Sequence, residues 1–236
     1  MRDFFSLDGA FSRYGTLVAD TLILSFMWII FSLPVITIGA ATSAMFYVST
    51  RRIADREGYI TSDFWLAFKV NFKRATLLWL LLALIMIVLA LNVWLMVSGF
   101  IETGTLGGVM SIVLPAQFVF MLQFTFISIF MFPMTARFEM GFFQTIKSSF
   151  IMANKHFMTS ITCTILLVTL VLVGIMTTIF LFAVPGIYAM LSSYMIMRVF
   201  KKYRPEIDKD PRLEIAEIEA SKAEERRRRD FSDTEE

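Results

Sequence analysis

Uncharged apolar runs dominate the chain, and short clusters of lysine and arginine separate them. One run lies between Asp20 and Arg51, and three more extend from Ala75 to Ile101, Thr103 to Ala136 and Phe157 to Met197. Each reaches or exceeds the roughly 20 apolar residues needed to cross a hydrocarbon core, and the last is long enough for two helices. A membrane β-barrel would alternate apolar and polar residues over strands of about ten residues, whereas these runs are continuously apolar. The pattern therefore predicts an all-α, polytopic transmembrane helical bundle.

The first run carries Pro34, Thr37 and Gly39 within "SLPVITIGAATSAMFY" at 32–47. Pro34 lacks a backbone donor and ends a helix, Val35 to Ile38 favour extended backbone, and Gly39 permits a tight re-entry. Two helices are expected to meet there, with a single kinked helix as the alternative. After the turn, Gly39 with Ser43 and Ala40 with Ala44 repeat at four-residue spacing. That small-residue pattern lets membrane helices approach closely.

Charge placement then orients the spans, because short segments rich in Lys and Arg stay cytoplasmic. Arg51, Arg52, Arg56, Lys69, Lys73 and Arg74 form one cluster; Arg137, Lys147 and Lys155 form a second; Lys201, Lys202 and Arg204 begin a third. The segments 98–108 and 183–188 carry no base and are expected outside. Alternation gives about six spans near 17–33, 38–53, 76–98, 108–132, 158–182 and 184–200, or five if the first pair is one kinked helix, with both termini cytoplasmic. Trp79 and Trp94, about 22 Å apart along a helix, suit the two interfacial belts. The N-terminal segment, where Asp3 and Asp8 offset Arg2 and Arg13, does not read as a signal peptide.

Two segments between the spans are amphipathic. Phe64, Phe68 and Phe72 recur every four residues in "SDFWLAFKVNFKRA", with Lys69, Lys73 and Arg74 on other faces and Ser62 placed to cap. An interfacial helix over 62–74 is expected, and Phe64, Phe68, Asn71 and Lys73 are its candidate partner contacts. The segment 141–157 repeats the idea with Phe143, Ile146, Phe150 and Phe157 on one stripe. A transmembrane domain at 1–200 is thus followed by a charged cytoplasmic tail at 201–236, where Arg226 to Arg229 stand among acids and read as a solvated run.

The 57% hydrophobic content over 236 residues excludes an ordinary soluble domain. Net charge is only +2, and no basic patch stands apart to indicate nucleic acid. The single cysteine, Cys163, lies within an apolar segment and reads as packing; with one histidine, His156, no histidine-based metal site is expected. No phosphate-cradling G-x-x-x-x-G-K-[ST] loop occurs. No enzymatic activity and no cofactor are expected, given the scarcity of positioned acids and bases. Asp20 is the one acid within the expected spans, an interfacial structural group or an ion site, while Asn92, Gln117 and Gln123 are intramembrane amides able to join helices or to line a passage.

Four blocks, "FFSLDGAFSRYGTLVAD", "SLPVITIGAATSAMFY", "GYITSDFWLAFKVNFKRATLLW" and, more loosely, "FPMTARFEMGFFQTIKSSFIMANKHF", give the chain a resemblance to the YesL family of small bacterial membrane proteins. The matching positions are Leu7, Asp8, Gly9, Leu33, Pro34, Thr37, Gly39, Thr42, Asp63, Phe64, Phe68 and Asn71, while Ala10 stands where that family often has proline. Members are commonly encoded beside carbohydrate ABC importers and glycoside hydrolases. The resemblance therefore implies a non-catalytic accessory or assembly factor in the bacterial cell membrane, contacting membrane lipid and the permease subunits of a sugar importer. A stand-alone transporter or channel for a small polar solute is the competing expectation.

Overall fold

The computed structural model describes residues 10–53, 59–103 and 108–203. Leu7, Asp8 and Gly9, and the tail with Arg226 to Arg229, lie outside the described residues. The chain divides into two compact units, Met1–Ile196 and Met197–Glu236. Among the described residues of the second, 197–203 are the end of a helix.

The described residues form helices joined by short connections, without strands. In chain order come α1 (Ala10–Ser32), a 3-10 turn (Val35–Thr37), α2 (Ile38–Ile53), α3 (Ile60–Thr103), α4 (Gly108–Arg137), α5 (Phe142–Lys155), α6 (Phe157–Met176), the single turn α7 (Thr178–Leu181) and α8 (Val184–Tyr203). Four stretches, Gly15–Ser32, Ile60–Ile101, Ser111–Arg137 and Phe157–Met176, are long and apolar enough to cross a membrane. The protein is thus an integral membrane helical protein. α2, at 16 residues, is about 24 Å long and shorter than a hydrocarbon core.

The chain reverses where proline was expected to break it. Pro34 is extended, with φ −75° and ψ 111°, and its carbonyl accepts the Thr37 N–H at 2.8 Å. The Thr37 hydroxyl donates to the carbonyls of Phe31 at 2.6 Å and Pro34 at 2.7 Å, taking up acceptors that the end of α1 leaves open. Two helices meet there, not one kinked helix. Trp28 Nε1 donates to Thr42 Oγ1 at 3.1 Å and Arg52 bonds Asp20, two pairs centred on residues 35–36, so α1 and α2 run antiparallel.

α2 and α3 form a second antiparallel pair, tied by Arg51 to Asp63 at one end and by Trp79 Nε1 to the Val35 carbonyl at the other. The α2 residues Gly39 to Ala41 and Ser43 to Thr50 are buried. A methyl at Gly39 would overlap the Ala75 carbonyl oxygen and Trp79 Cβ, which shows how closely the backbones approach. The small-residue spacing serves this contact.

In one respect the arrangement departs from the sequence expectation. The segment 62–74 is not a separate interfacial helix; it continues without a break into the apolar span, giving a helix of 44 residues and about 66 Å. No proline or glycine lies between Ile60 and Ser98 to stop it, and the Asn71 amide donates to Ala67 O of its own helix at 3.2 Å instead of capping a new one. Consequently the α1–α2 hairpin lies beside residues 63–79 of α3. Trp79 accordingly holds the turn, whereas Trp94 remains exposed.

Beyond Trp79, α3 is accompanied by α4, whose Gln117 Nε2 donates to the Leu89 carbonyl at 2.6 Å. At the other end of α4, Arg74 reaches the Phe138 carbonyl at 3.3 Å. α6 returns from the α5 bend, where Ser160 Oγ donates to Ala153 O at 3.0 Å, and Phe157 meets Phe126 edge to face at 5.6 Å.

Candidate functional site

Two acid–base pairs tie helices together near the end of α2. Arg51 Nη1 bonds Asp63 Oδ1 at 2.8 Å, and Arg52 bonds Asp20. Both arginines come from the last turn of α2, where a cation also complements the helix dipole. Asp63 lies in the first turn of α3, the favourable end for an anion. Neighbouring residues of one helix end thus reach two different helices. The pairing was not visible in sequence because Asp20 and Arg52 stand 32 residues apart and meet only after the chain reverses.

The structure separates the candidate partner contacts. Phe64 is fully buried and Phe68 nearly so, packed around Phe31 of α1 at ring distances of 5.5 and 5.0 Å. Phe64 and Phe68 therefore face inward and cement α1 onto α3, so they are not surface contacts, while Phe72, the third ring of the stripe, is exposed. Asn71 is half-buried and satisfied within α3. Lys73 is exposed and lines an open groove with Phe68, Lys69, Val70 and Phe72, beside which the Lys69 ammonium stands 4.6 Å from the Trp65 ring.

Pro34, Thr37 and Gly39 meet at the α1–α2 turn as described, and Ser43 is fully buried with its hydroxyl unpartnered among the described residues. Asp20 is paired with Arg52, Gln117 joins α4 to α3, Gln123 has a buried Nε2 without a partner among the described residues, and Asn92 is exposed on α3.

Sequence reading missed Gly186. Its N–H donates to Ser25 Oγ at 2.8 Å, Ser25 bonds the Ala183 carbonyl at 3.2 Å, and a methyl at Gly186 would overlap Thr21 O and Ser25 Oγ. The signal was a glycine directly after Pro185, legible as a helix start but not as a contact with α1.

A second feature is the outward face of α1. Val18, Leu22, Phe26 and Ile30 recur at four-residue spacing and are exposed, Phe26 at 65%, and Leu33 just past the helix end is exposed as well. This stripe lies away from α2 and holds no charge.

Residues 21–93 match the family model described as a protein of unknown function, DUF624. The matched stretch carries the second half of α1, the Pro34 turn, α2 and α3 to one residue beyond Asn92, and so includes Arg51, Arg52, Asp63, Gly39 and the inward phenylalanines but not Asp20. Comparison with curated proteins and with solved structures found no match.

Proposed function

We propose that this protein is a non-catalytic accessory subunit of a carbohydrate importer in the bacterial cell membrane, docking on its permease through the exposed stripe of α1. The observation that carries the reading is the pairing of Asp20 with Arg52 and of Asp63 with Arg51. An ion-coupled carrier keeps charged groups at the midplane facing a cavity. Here Asp20 and Asp63 hold helices together through Arg52 and Arg51. What the chain offers instead is surface, a continuous apolar stripe on its first helix. The similarity to the YesL family supplies the partner, since such proteins are commonly encoded beside sugar importers; the DUF624 match is compatible with that assignment.

The base-rich ends of the helices are assigned to the cytoplasm, with both termini on that side. Reporter fusions at Glu102 and at the C-terminus test the orientation, which requires Glu102 outside and the C-terminus inside. The functional reading is tested by affinity purification of the full chain in mild detergent, together with growth of a deletion strain on the oligosaccharide served by a neighbouring importer. Co-purifying permease subunits and slowed uptake are expected. Normal uptake without the gene, or purification free of any permease subunit, moves a stand-alone transporter to first place.

A further inference from the structure

The outer face of α3 carries one uninterrupted stripe from end to end. Leu66, Lys69, Lys73, Leu77, Leu80, Leu84, Ile87, Leu91 and Leu95 follow at three- or four-residue spacing, which keeps them on one side of the helix. The apolar members are exposed, Leu84 at 60% and Leu95 at 70%, and both lysines are exposed as well. The stripe is therefore amphiphilic along its length, with two ammonium groups at one end and roughly 20 Å of uncharged apolar surface from Leu77 to Leu91. At the charged end lies the groove of Phe68, Lys69, Val70, Phe72 and Lys73. No acid interrupts it: Asp63, the nearest on α3, is turned to Arg51.

The geometry points to a binding site for an anionic phospholipid, with its phosphate between the Lys69 and Lys73 ammonium groups and an acyl chain laid along Leu77 to Leu91. Charge complementarity and length both select this occupant. Two cations beside an aromatic surface attract a phosphate diester, and the apolar stretch that follows has the length of one acyl chain. A soluble anion would use only the first half of the stripe, and a neutral lipid only the second. Trp65 beside Lys69 supplies the amphipathic ring that membrane interfaces favour.

The test uses the purified full chain in a neutral detergent, with phosphatidylglycerol, phosphatidylcholine or inorganic phosphate added. Phosphatidylglycerol should raise the melting temperature by roughly 3 °C or more and stay bound in native mass spectrometry. K69Q/K73Q should lose both effects, while K147Q/K202Q, which removes the same charge elsewhere, should keep them. Photoactivatable phosphatidylglycerol on the unmodified protein should place its adducts between Leu66 and Leu91, a readout that needs no variant to fold. Equal stabilisation by phosphatidylcholine, reproduction of the effect by inorganic phosphate, undiminished binding by K69Q/K73Q, or adducts confined to other helices would each overturn the site.

Discussion

Residues 60–79 and 80–103 belong to one unbroken helix, yet their surroundings are opposite. In the first stretch Ile60, Asp63, Phe64, Ala67, Phe68, Ala75, Thr76 and Leu78 are buried against neighbouring helices; from Leu80 to Ile101 not one residue is buried. Hydrophobicity does not make the difference, since the exposed half is the more apolar. The packed half has what close approach requires: Ala75 opposite Gly39, aromatic rings around Phe31, and an aspartate facing Arg51. In a membrane, where lipid is as apolar as leucine, packing is decided by small residues and polar ties. The outer half also carries small residues, Ala83 and Ala90, but its side chains stay exposed or half-buried, with Gln117 of α4 bonding it at the Leu89 carbonyl.

The largest effect should come from the charge that joins the packed half to α2. Asp63→Asn leaves Arg51 without its carboxylate in a nearly buried setting and should cost about 3–5 kcal/mol, read as a large loss of melting temperature in detergent. Exchanging the partners, Arg51→Asp with Asp63→Arg, should restore part of it. No rescue, or no loss in the single variant, would show that the two halves of α3 do not differ in this way.

A smaller effect is expected at the tightest helix approach. Gly39→Leu should destabilise by about 1–3 kcal/mol through forced separation of α2 from α3, whereas Val35→Leu, at an exposed turn position, should change little. Equal stability of the two variants would remove the argument for close packing. Least of all should follow from the outer half: Leu84→Ala and Leu91→Ala should stay within about 0.5 kcal/mol of the parent.

Much of this difference was hidden in the sequence. The α1–α2 turn was legible because Pro34 and Gly39 are backbone instructions that act locally. The continuity of α3 was not, because the cluster Lys69, Asn71, Lys73 and Arg74 resembles a boundary although none of these residues breaks a helix. Phe64, Phe68 and Phe72 correctly marked one face, but period alone does not say whether a face meets lipid or another helix; Phe31 of α1 decides it. The ion pairs and the Gly186 contact depend on residues brought together by two chain reversals or from opposite ends of the chain, and no local pattern announces them.

The comparison of α1 with its partner in the hairpin carries the functional claim: α2 is enclosed on nearly all sides, while α1 keeps an apolar face uncovered. The most direct measurement places a photo-crosslinking amino acid at Phe26 in growing cells and identifies what it captures. The accessory role predicts a permease subunit of the neighbouring sugar importer as the protein adduct, lost when the probe is moved to the buried position Leu24. Capture of lipid alone at Phe26, with the importer present and active, would contradict it.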